Sequence, residues 1–448
     1  MRNILMVMAV FGAVCFAMGQ AVTRWQRLYS VSGYMALFAA AQYDGADTLY
    51  ALVSLRQPEG EDGVSLVRYT LRGGLVDARP HGLSNRAQEE GFDLQPLPNG
   101  GCVIICALSE PIWDQGTVLS EQTTLVYYPP TGPPTLERRA YGLPVALVRG
   151  NNRLFIATQA GNGHTAYLNF DLSTLTYRET AIFVRYGAPL DIAWETSQGV
   201  VLGGWGGTSS GRTGFYWSNN ALNYLNTPFS YVSQVQPLPN GNIVYLWGSG
   251  DQNEAHMYGP DGLQAERLTL QAATSGSGEA FVYVMAQQEV AFTLVRINDA
   301  TLSRQWELPL SGFNVGLWTV DPSGNVYLYG LGNDGREFRK IRADGSLAWR
   351  LPVQHIPLPQ PLKSLIPLPN GSILVAGDTV LTDGALGVMV TLIGRRGDTN
   401  GDGCVDDADL ISVLSSFGGD TFVADLNADG VVDDADLLEV LFALGTGC

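Results

Sequence analysis

The phrase LQPLPNGGCVIICA occupies positions 94–107, and two further copies repeat its order of features, VQPLPNGNIVYLWG at 235–248 and LIPLPNGSILVAGD at 365–378. A looser copy, VDPSGNVYLYG, covers 320–330. Each copy places a turn with Gly between an extended segment and a run of strand-forming residues. Asn-Gly between two apolar runs is a strong short-range signal for a β-hairpin. The repeated phrase therefore predicts a chain built from hairpins.

Weaker turn signals continue this pattern along the chain. They lie at Asp44-Gly45, Gly150-Asn151-Asn152, Ser197-Gln198-Gly199 and Gln287-Gln288. The resulting period of roughly 37–54 residues matches one four-stranded blade. The sequence therefore predicts a mainly β fold for residues 21–394, a seven- or eight-bladed β-propeller. One or two β-sandwiches are the alternative, but a single even repeat over this length favours a ring.

A second phrase places a tryptophan after a turn. IRADGSLAWRLPV at 341–353 contains Trp349, and NDATLSRQWELPL at 298–310 contains Trp306. VTRWQRLYS at 22–30 carries Trp25 in a similar strand, which would complete the last blade and close the ring so that no edge strand is exposed. The order of Asp-Gly and Trp in this phrase resembles the repeats of quinoprotein-type β-propellers.

The N-terminus has the pattern of a secretory signal peptide at residues 1–19. Arg2 supplies a positive start, an apolar run follows from Ile4 to Ala17, and Ala17 and Gly19 are small residues ahead of a cut before Gln20. The alternative is an uncleaved membrane anchor, but the run is short for a permanent span. No other stretch is long and apolar enough to be transmembrane. We therefore expect a secreted protein, extracellular or at the cell surface.

The negative charge is concentrated at the C-terminal end. The formal net charge is −17. Residues 397–448 contain twelve Asp and Glu residues and no Lys or Arg. Such a segment repels nucleic acid and attracts multivalent cations. Because no basic patch occurs elsewhere, we expect no DNA or RNA partner.

Two acidic segments align residue by residue within 397–448, which we call the tail. DTNGDGCVDDADLISVLSSFG starts at Asp398, and DLNADGVVDDADLLEVLFALG starts 27 positions later at Asp425. Each opens with D-x-N-x-D-G-x-x-D-x-x-D. Ca²⁺ takes six to eight oxygen ligands, which a tight loop presents from positions 1, 3, 5, 7, 9 and 12 around a glycine at position 6. The spacing therefore predicts two Ca²⁺ ions.

The alignment assigns the same ligand types to both loops. Positions 1, 3, 5, 9 and 12 give side-chain oxygens, position 7 gives a backbone carbonyl, and Gly403 and Gly430 make the turns. The first loop would use Asp398, Asn400, Asp402, Asp406 and Asp409 with the carbonyl of Cys404, and the second Asp425, Asn427, Asp429, Asp433 and Asp436 with the carbonyl of Val431. The alternative is an acidic solvated tail without metal.

Apolar residues at helical spacing follow each loop and argue against a solvated tail. They predict one buried face per helix, and Gly418 and Gly445 are expected to end the helices. The predicted faces are Leu410, Val413, Leu414 and Phe417 in the first repeat and Leu437, Val440, Leu441 and Leu444 in the second.

The paired loop–helix repeats resemble a type I dockerin, a small α-helical domain with two EF-hand-type calcium loops. The resemblance implies docking onto a cohesin-type scaffold domain in a setting of extracellular polysaccharide breakdown. The sequence departs from the family at positions 10 and 11, where many dockerins carry a hydroxyl pair. These positions are Asp407-Ala408 and Asp434-Ala435 here, so another surface, or the chain's own propeller, is an alternative partner.

The related fold packs its two repeats antiparallel, which implies that the first loop and the C-terminus meet. A Cys404–Cys448 disulfide would then close a loop of about 45 residues and add roughly 3–4 kcal/mol of stability. Two free thiols are the alternative. Cys102 and Cys106 lie four apart in one strand, about 13 Å from each other, and are expected to be buried thiols.

Two function classes remain for residues 21–394. The first is a non-catalytic propeller that binds or displays a partner, including a possible polysaccharide, while the tail tethers it. The second is a glycan-active hydrolase acting on O-glycosyl bonds with carboxylates meeting at the ring's centre. The four histidines, His81, His164, His256 and His355, have no zinc-site spacing, and no nucleophile elbow or phosphate-binding loop appears. We favour the first class, and catalytic residues stay unassigned.

The signal peptide gives a direct prediction about the mature protein. Cleavage should occur after Gly19, because the small residues Ala17 and Gly19 precede the cut. Mass spectrometry of the secreted protein should find Gln20 as the first residue. A secreted chain that still begins at Met1 would contradict the export signal.

Overall fold

The computed structural model describes most of the chain between residues 21 and 447. The described ranges are 21–57, 62–82, 88–112, 118–150, 152–160, 165–182, 187–195, 199–208, 211–218, 221–228, 230–237, 243–249, 252–259, 262–263, 268–270, 272–278, 281–288, 291–297 and 304–447. The predicted signal peptide and Cys448 lie outside these residues. We call residues 21–395 the body.

The body consists of antiparallel strands. In chain order they are β1 (Ala21–Tyr29), β2 (Met35–Tyr43), β3 (Thr48–Arg56), β4 (Gly63–Thr70), β5 (Leu75–His81), β6 (Gln88–Pro96), β7 (Cys102–Ile112), β8 (Val118–Tyr128), β9 (Leu136–Tyr141), β10 (Leu143–Gly150), β11 (Arg153–Gln159), β12 (Thr165–Asp171), β13 (Thr176–Ile182), β14 (Ala188–Glu195), β15 (Gly199–Thr208), β16 (Gly211–Ser218), β17 (Ala221–Pro228), β18 (Ser230–Pro237), β19 (Ile243–Ser249), β20 (Gln252–Gly259), β21 (Gly262–Leu263), β22 (Leu268–Leu270), β23 (Ala272–Gly278), β24 (Phe281–Gln288), β25 (Ala291–Ile297), β26 (Arg304–Leu310), β27 (Asn314–Val320), β28 (Val326–Gly332), β29 (Gly335–Ile341), β30 (Leu347–Pro352), β31 (Leu362–Pro367), β32 (Ile373–Val380) and β33 (Leu386–Arg395).

The strands of the described residues form eight sheets, numbered here along the chain. Sheets 1 to 4 are β2–β5, β6–β9, β10–β13 and β14–β17, and sheets 6 and 7 are β23–β26 and β27–β30. Sheet 5 runs β18–β21, with β22 also paired to β20. Sheet 8 has the order β1-β33-β32-β31. The prediction of a mainly β fold built from repeated four-stranded units is confirmed.

The repeated phrase forms the first hairpin of its sheet. In sheet 2, the N–H of Leu97 donates to the carbonyl of Gly101 at 2.8 Å and the N–H of Gly100 donates to the carbonyl of Leu97 at 2.9 Å. Leu368 and Gly371 make the same bonds in sheet 8. Gln287 and Gln288, where a turn is predicted, are the last residues of β24, the second strand of sheet 6, so this position does not correspond to the first hairpin of its sheet.

A register shift recurs in the first strands of the sheets. Within the described residues it occurs in seven of the eight first strands, between Phe38/Ala40, Gly91/Asp93, Pro144/Ala146, Pro189/Asp191, Val232/Gln234, Val315/Leu317 and Leu362/Ser364. Such shifts bend a strand and increase its twist. The first strands of several successive sheets contact each other, and β31 of sheet 8 contacts β2 of sheet 1. The row of sheets therefore returns to its start.

Sheet 8 joins the two ends of the body. β1 pairs antiparallel with β33, as expected for the segment that contains Trp25. Trp25 is 5% exposed and packs in a core shared by sheets 8 and 1. Its indole Nε1 donates to the carbonyl of Leu71 in the turn after β4. The predicted place of the N-terminal strand, in one sheet with the last three strands of the body, is confirmed.

Aspartates near the register shifts bond to the neighbouring sheet. Asp378 Oδ1 accepts from the N–H of Phe38 at 2.7 Å, which connects sheet 8 to sheet 1. Asp191 Oδ2 accepts from the N–H of Val235 at 2.8 Å, which connects sheets 4 and 5. These carboxylates therefore help to hold adjacent sheets together.

Two helices lie in the described part of the tail, α1 (Asp407–Ser416) and α2 (Asp434–Ala443). Val413 and Val440 are fully buried between them, with Leu410 and Leu437 packed alongside. The broader predicted faces are wrong at their outer edge, because Leu414, Phe417, Leu441 and Leu444 are exposed. Two short helices crossing each other cover only a narrow stripe of each. Among the described residues, no helix has the length and apolarity needed to cross a membrane.

The two cysteines in β7 are buried and free, as expected. Burial raises the pKa of both the Cys102 and the Cys106 thiol. Since the thiolate is the reactive form, both thiols are inert packing groups.

Asp191 predicts a pH-dependent stability of the body. Desolvation raises its pKa from 3.8 to about 6 in the fold. In the unfolded chain the pKa of the Asp191 carboxyl is ordinary. The free energy of unfolding therefore decreases as pH rises from about 4 through 6. Asp191→Asn, which keeps an acceptor for the Val235 N–H, should stabilise the protein by roughly 1–3 kcal/mol above pH 7. Thermal unfolding at pH 4 and pH 8 measures this, and a variant–wild-type difference that does not change with pH would contradict it.

Candidate metal centre

Asp398 anchors the first loop from inside. Its side chain is 3% exposed. The N–H of Gly401 donates to Asp398 Oδ1 at 2.6 Å, and the N–H of Gly403 donates to Oδ2 at 3.0 Å. Gly403 has φ +92°, a left-handed conformation that favours glycine. The sharp turn expected at position 6 is therefore present.

Asp409 closes the same loop from the helix side. It is fully buried, and its Oδ1 accepts from the N–H of Thr399 at 2.7 Å and from the Thr399 hydroxyl at 2.9 Å. Its Oδ2 accepts from the N–H of Asp406 at 3.0 Å. The first turn of α1 is thereby fixed to the start of the loop.

The second loop repeats this arrangement. Asp425 and Asp436 are both fully buried, and Gly430 has φ +103°. The bonds are Asp429 N–H to Asp425 Oδ1 at 3.1 Å, Gly430 N–H to Asp425 Oδ2 at 2.9 Å, Leu426 N–H to Asp436 Oδ1 at 2.6 Å, and Asp433 N–H to Asp436 Oδ2 at 2.9 Å. The two segments that align in sequence therefore also fold alike.

The remaining predicted side-chain ligands lie at the outer side of each loop. Positions 3, 5 and 9 accept from the backbone N–H two residues later, at 2.8–3.0 Å. These residues are Asn400, Asp402 and Asp406 in the first loop and Asn427, Asp429 and Asp433 in the second. Cys404 and Val431, the predicted carbonyl donors, occupy position 7 of the same loops.

Position 9 and position 12 have a second role that the sequence analysis missed. Asp406 is the N-cap of α1, and Asp409 bonds back to its N–H, which forms a capping box. Asp433 and Asp436 form the same box at α2. The pattern of a polar N-cap followed three residues later by an acid was a readable signal for these helix starts.

The buried loop carboxylates are electrostatically strained. Burial raises the pKa of Asp398 to about 6, and the nearby charges of Asp409 and Asp402 act in the same direction. Burial also raises the pKa of Asp425, assisted by the charges of Asp436 and Asp429. A buried carboxylate is costly unless a cation or several donors compensate it.

The side chains of the two loops carry the oxygen atoms that a hard divalent cation prefers. In this structure these oxygens accept hydrogen bonds from the loop backbone. In the part of the chain that the structure describes, Asp398, Asp409 and Asp436 form no ion pair. Within that same part, no three His, Cys, Asp or Glu side chains converge to hold a metal ion. Their oxygens accept N–H bonds instead. Nearby basic side chains already offset part of the charge, since Arg24 and Arg395 act on Asp398 and Arg72 pairs with Asp425. The oxygen-only donor set is what Ca²⁺ prefers, so calcium stays a prediction.

The C-terminus lies against the first loop. The N–H of Gly445 donates to the carbonyl of Val405 at 2.7 Å, and the N–H of Val405 donates to the carbonyl of Thr446 at 3.0 Å. Cys404 directly precedes Val405 in the chain. Cys448, its predicted partner, lies outside the described residues, so the pairing stays a prediction.

Acidic side chains also line a cavity of about 270 Å³ in the body. Asp62, Glu89 and Glu90 are among its lining residues. Glu90 pairs with Arg56 at 2.8 Å. Glu89 is 3% exposed, and its Oε1 lies 3.9 Å from His81 Nε2. Two of the three carboxylates therefore already face basic side chains.

Comparisons with solved structures find β-propellers. The chain is similar to the β-propeller domain of the trilobed protease from Pyrococcus furiosus (12% identity, TM-score 0.41, 72% of this chain and 100% of that one). It is also similar to BamB from Moraxella catarrhalis (13%, 0.38, 82% and 100%) and to the Dos1 propeller (9%, 0.48, 84% and 94%). No protein-family model and no curated protein matches it.

The contacts of the C-terminus predict the disulfide partner. Cys404 precedes Val405, and Cys448 follows the strand-like pair at Gly445 and Thr446, so the two cysteines should be joined. Peptide mapping without reductant should find the peptide containing Cys404 linked to the one that ends at Cys448. Recovery of either cysteine as a free thiol in the secreted protein would contradict the pairing.

Proposed function

We propose that the chain is a secreted calcium-binding protein in which a β-propeller body binds or displays a partner and a dockerin-like tail tethers it. The observation that carries this proposal is the pair of matched loops, each with buried carboxylates at positions 1 and 12. Burying four carboxylates in two equivalent places costs free energy. A divalent cation at each loop would offset that cost.

We also propose that the body is an eight-bladed propeller. Eight consecutive meander sheets support this number, as does the contact between β31 and β2. Sheet 8 combines the first strand with the last three, which removes both free edges. Seven blades would leave one of these sheets outside the ring.

The outer faces of α1 and α2 support docking onto a scaffold. Ile411 is 63% exposed and Leu414 is 52% exposed on α1. Leu438 and Leu441, their counterparts 27 positions later, are also exposed on α2. Contiguous exposed apolar side chains mark interaction surfaces. A cohesin-type domain in a polysaccharide-degrading setting is the partner that the dockerin resemblance implies.

A glycan-active hydrolase is the alternative function of the body. Its carboxylates would have to face a substrate, and the acidic cavity near sheet 2 offers Asp62, Glu89 and Glu90. The pairing of Glu90 with Arg56 and the burial of Glu89 weigh against free catalytic acids. We therefore keep binding and display as the proposed function.

Calorimetry of the full-length protein tests the calcium proposal. The wild type should bind two Ca²⁺ ions. Asp402→Ala and Asp429→Ala, each at position 5 of one loop, should weaken one site by at least about 10–100-fold and leave one ion bound. Asp402 and Asp429 are not buried in the core, so the variants should still fold.

Asp407→Ala is the matched control. Asp407 is an exposed acid in the first turn of α1 and not a predicted ligand. It should keep both sites, because only the loop oxygens bind the ion. Equal losses in Asp407→Ala and Asp402→Ala would show general charge attraction, and no heat of binding in the wild type would reject the metal.

A further inference from the structure

The first loop of the tail rests on basic side chains of sheets 7 and 8. Lys340 Nζ, in β29, donates to the carbonyl of Gly401 at 2.9 Å. Arg342, just after β29, donates to the carbonyl of Asp402 at 3.2 Å. Arg395, at the end of β33, donates to the carbonyl of Gly403. Three consecutive carbonyls of the loop are thus held by three cations of the body.

None of these contacts uses a predicted calcium ligand. The body binds backbone carbonyls at positions 4, 5 and 6, whereas the predicted ligands are side chains and the carbonyl of Cys404 at position 7. A cation inside the loop and the basic side chains outside it therefore do not compete for the same oxygens, and the carboxylates of Asp398 and Asp402 attract both.

Backbone packing accompanies these hydrogen bonds. Gly371, in the turn between β31 and β32, lies so close to Gly401 that an added Cβ would collide with the Gly401 Cα. An added Cβ on Gly403 would meet Trp349 of β30 at 2.8 Å. The third copy of the repeated phrase therefore touches the first loop directly.

The second loop contacts the other side of the closing sheet. Arg72, in the turn between β4 and β5 of sheet 1, pairs with Asp425 Oδ2 at 3.1 Å and also donates to the carbonyl of Asp420. Phe422 and Ala428 pack against the core that sheets 8 and 1 share. The tail thus spans sheets 7, 8 and 1, across the place where the two ends of the body meet.

We propose that the first loop is a calcium-dependent clasp between the tail and the body. Calcium in this loop fixes the backbone that presents the Gly401, Asp402 and Gly403 carbonyls to Lys340, Arg342 and Arg395. Loading therefore strengthens docking, and docking strengthens loading, because linkage between two sites is reciprocal. The inference rests on the proposed calcium binding and adds that the ion stabilises the closure of the body.

Tryptophan fluorescence measures this coupling in the full-length chain. All nine tryptophans lie before residue 397, so their signal comes from the body. Trp349, which lies against Gly403, also reports on the contact with the first loop. In wild-type protein, the thermal midpoint from fluorescence should be several degrees higher in millimolar calcium than in chelator, because a ligand of the folded state raises its stability.

Gly371→Ala should separate binding from coupling. Its Cβ would push the turn away from Gly401, so calorimetry should still find two ions while at least half of the calcium-induced shift is lost. Gly384→Ala is the matched control. Gly384 lies in the turn at the other end of β32 with a similar φ, +83° against +73°, but nothing lies near its Cβ. It should lower both midpoints and keep the shift.

Arg342→Ala supplies a variant that does not strain a turn. Arg342 is exposed, and its loss should reduce the shift while leaving two ions bound. A full shift in both Gly371→Ala and Arg342→Ala would overturn the clasp. So would two bound ions with no shift in the wild type, which would leave calcium binding itself intact. No binding at all would overturn both proposals.

Discussion

The pairing of β1 with β33 is the constraint on which the rest of the structure depends. It places residues from both ends of the body in one sheet, and sheet 8 then contacts sheet 1 through Trp25 and through the bond between Asp378 and Phe38. Because β33 leads directly into the tail, the same pairing fixes where the tail begins. The first loop starts three residues after β33 and therefore has little freedom to leave the body.

The features that the sequence predicted are those set by local chemistry. The Asn-Gly turns at Gly100 and Gly371 form because glycine tolerates their positive φ, and this is visible without any neighbour. Gly403 and Gly430 are equally local. Even the closing strand could be inferred, because the Trp25 segment matches the tryptophan strands found elsewhere in the body.

The features that the sequence did not predict arise from contacts between distant segments. The register shifts need the paired strand to be seen, since one strand alone has no register. The exposure of Leu414 and Leu441 depends on how the two helices cross. The basic contacts on the first loop come from residues about 60 positions earlier, Lys340 and Arg342, and from Arg395 nearby. Charge counting along the chain showed the acids of the tail but not which bases would meet them.

The same aspartate spacing in the tail fits two uses, a helix capping box and a set of calcium ligands. Asp406 and Asp409 satisfy a capping box as well as a ligand spacing, and both uses place oxygens at the start of α1. The two uses are compatible, because a carboxylate has lone pairs for an N–H and for a cation. What capping does not explain is position 1. Asp398 and Asp425 cap neither helix, yet they are buried with raised pKa values. Each accepts two loop N–H groups, and Asp425 also pairs with Arg72. Their pKa values stay raised nonetheless, so a cation in each loop would stabilise the charged form further.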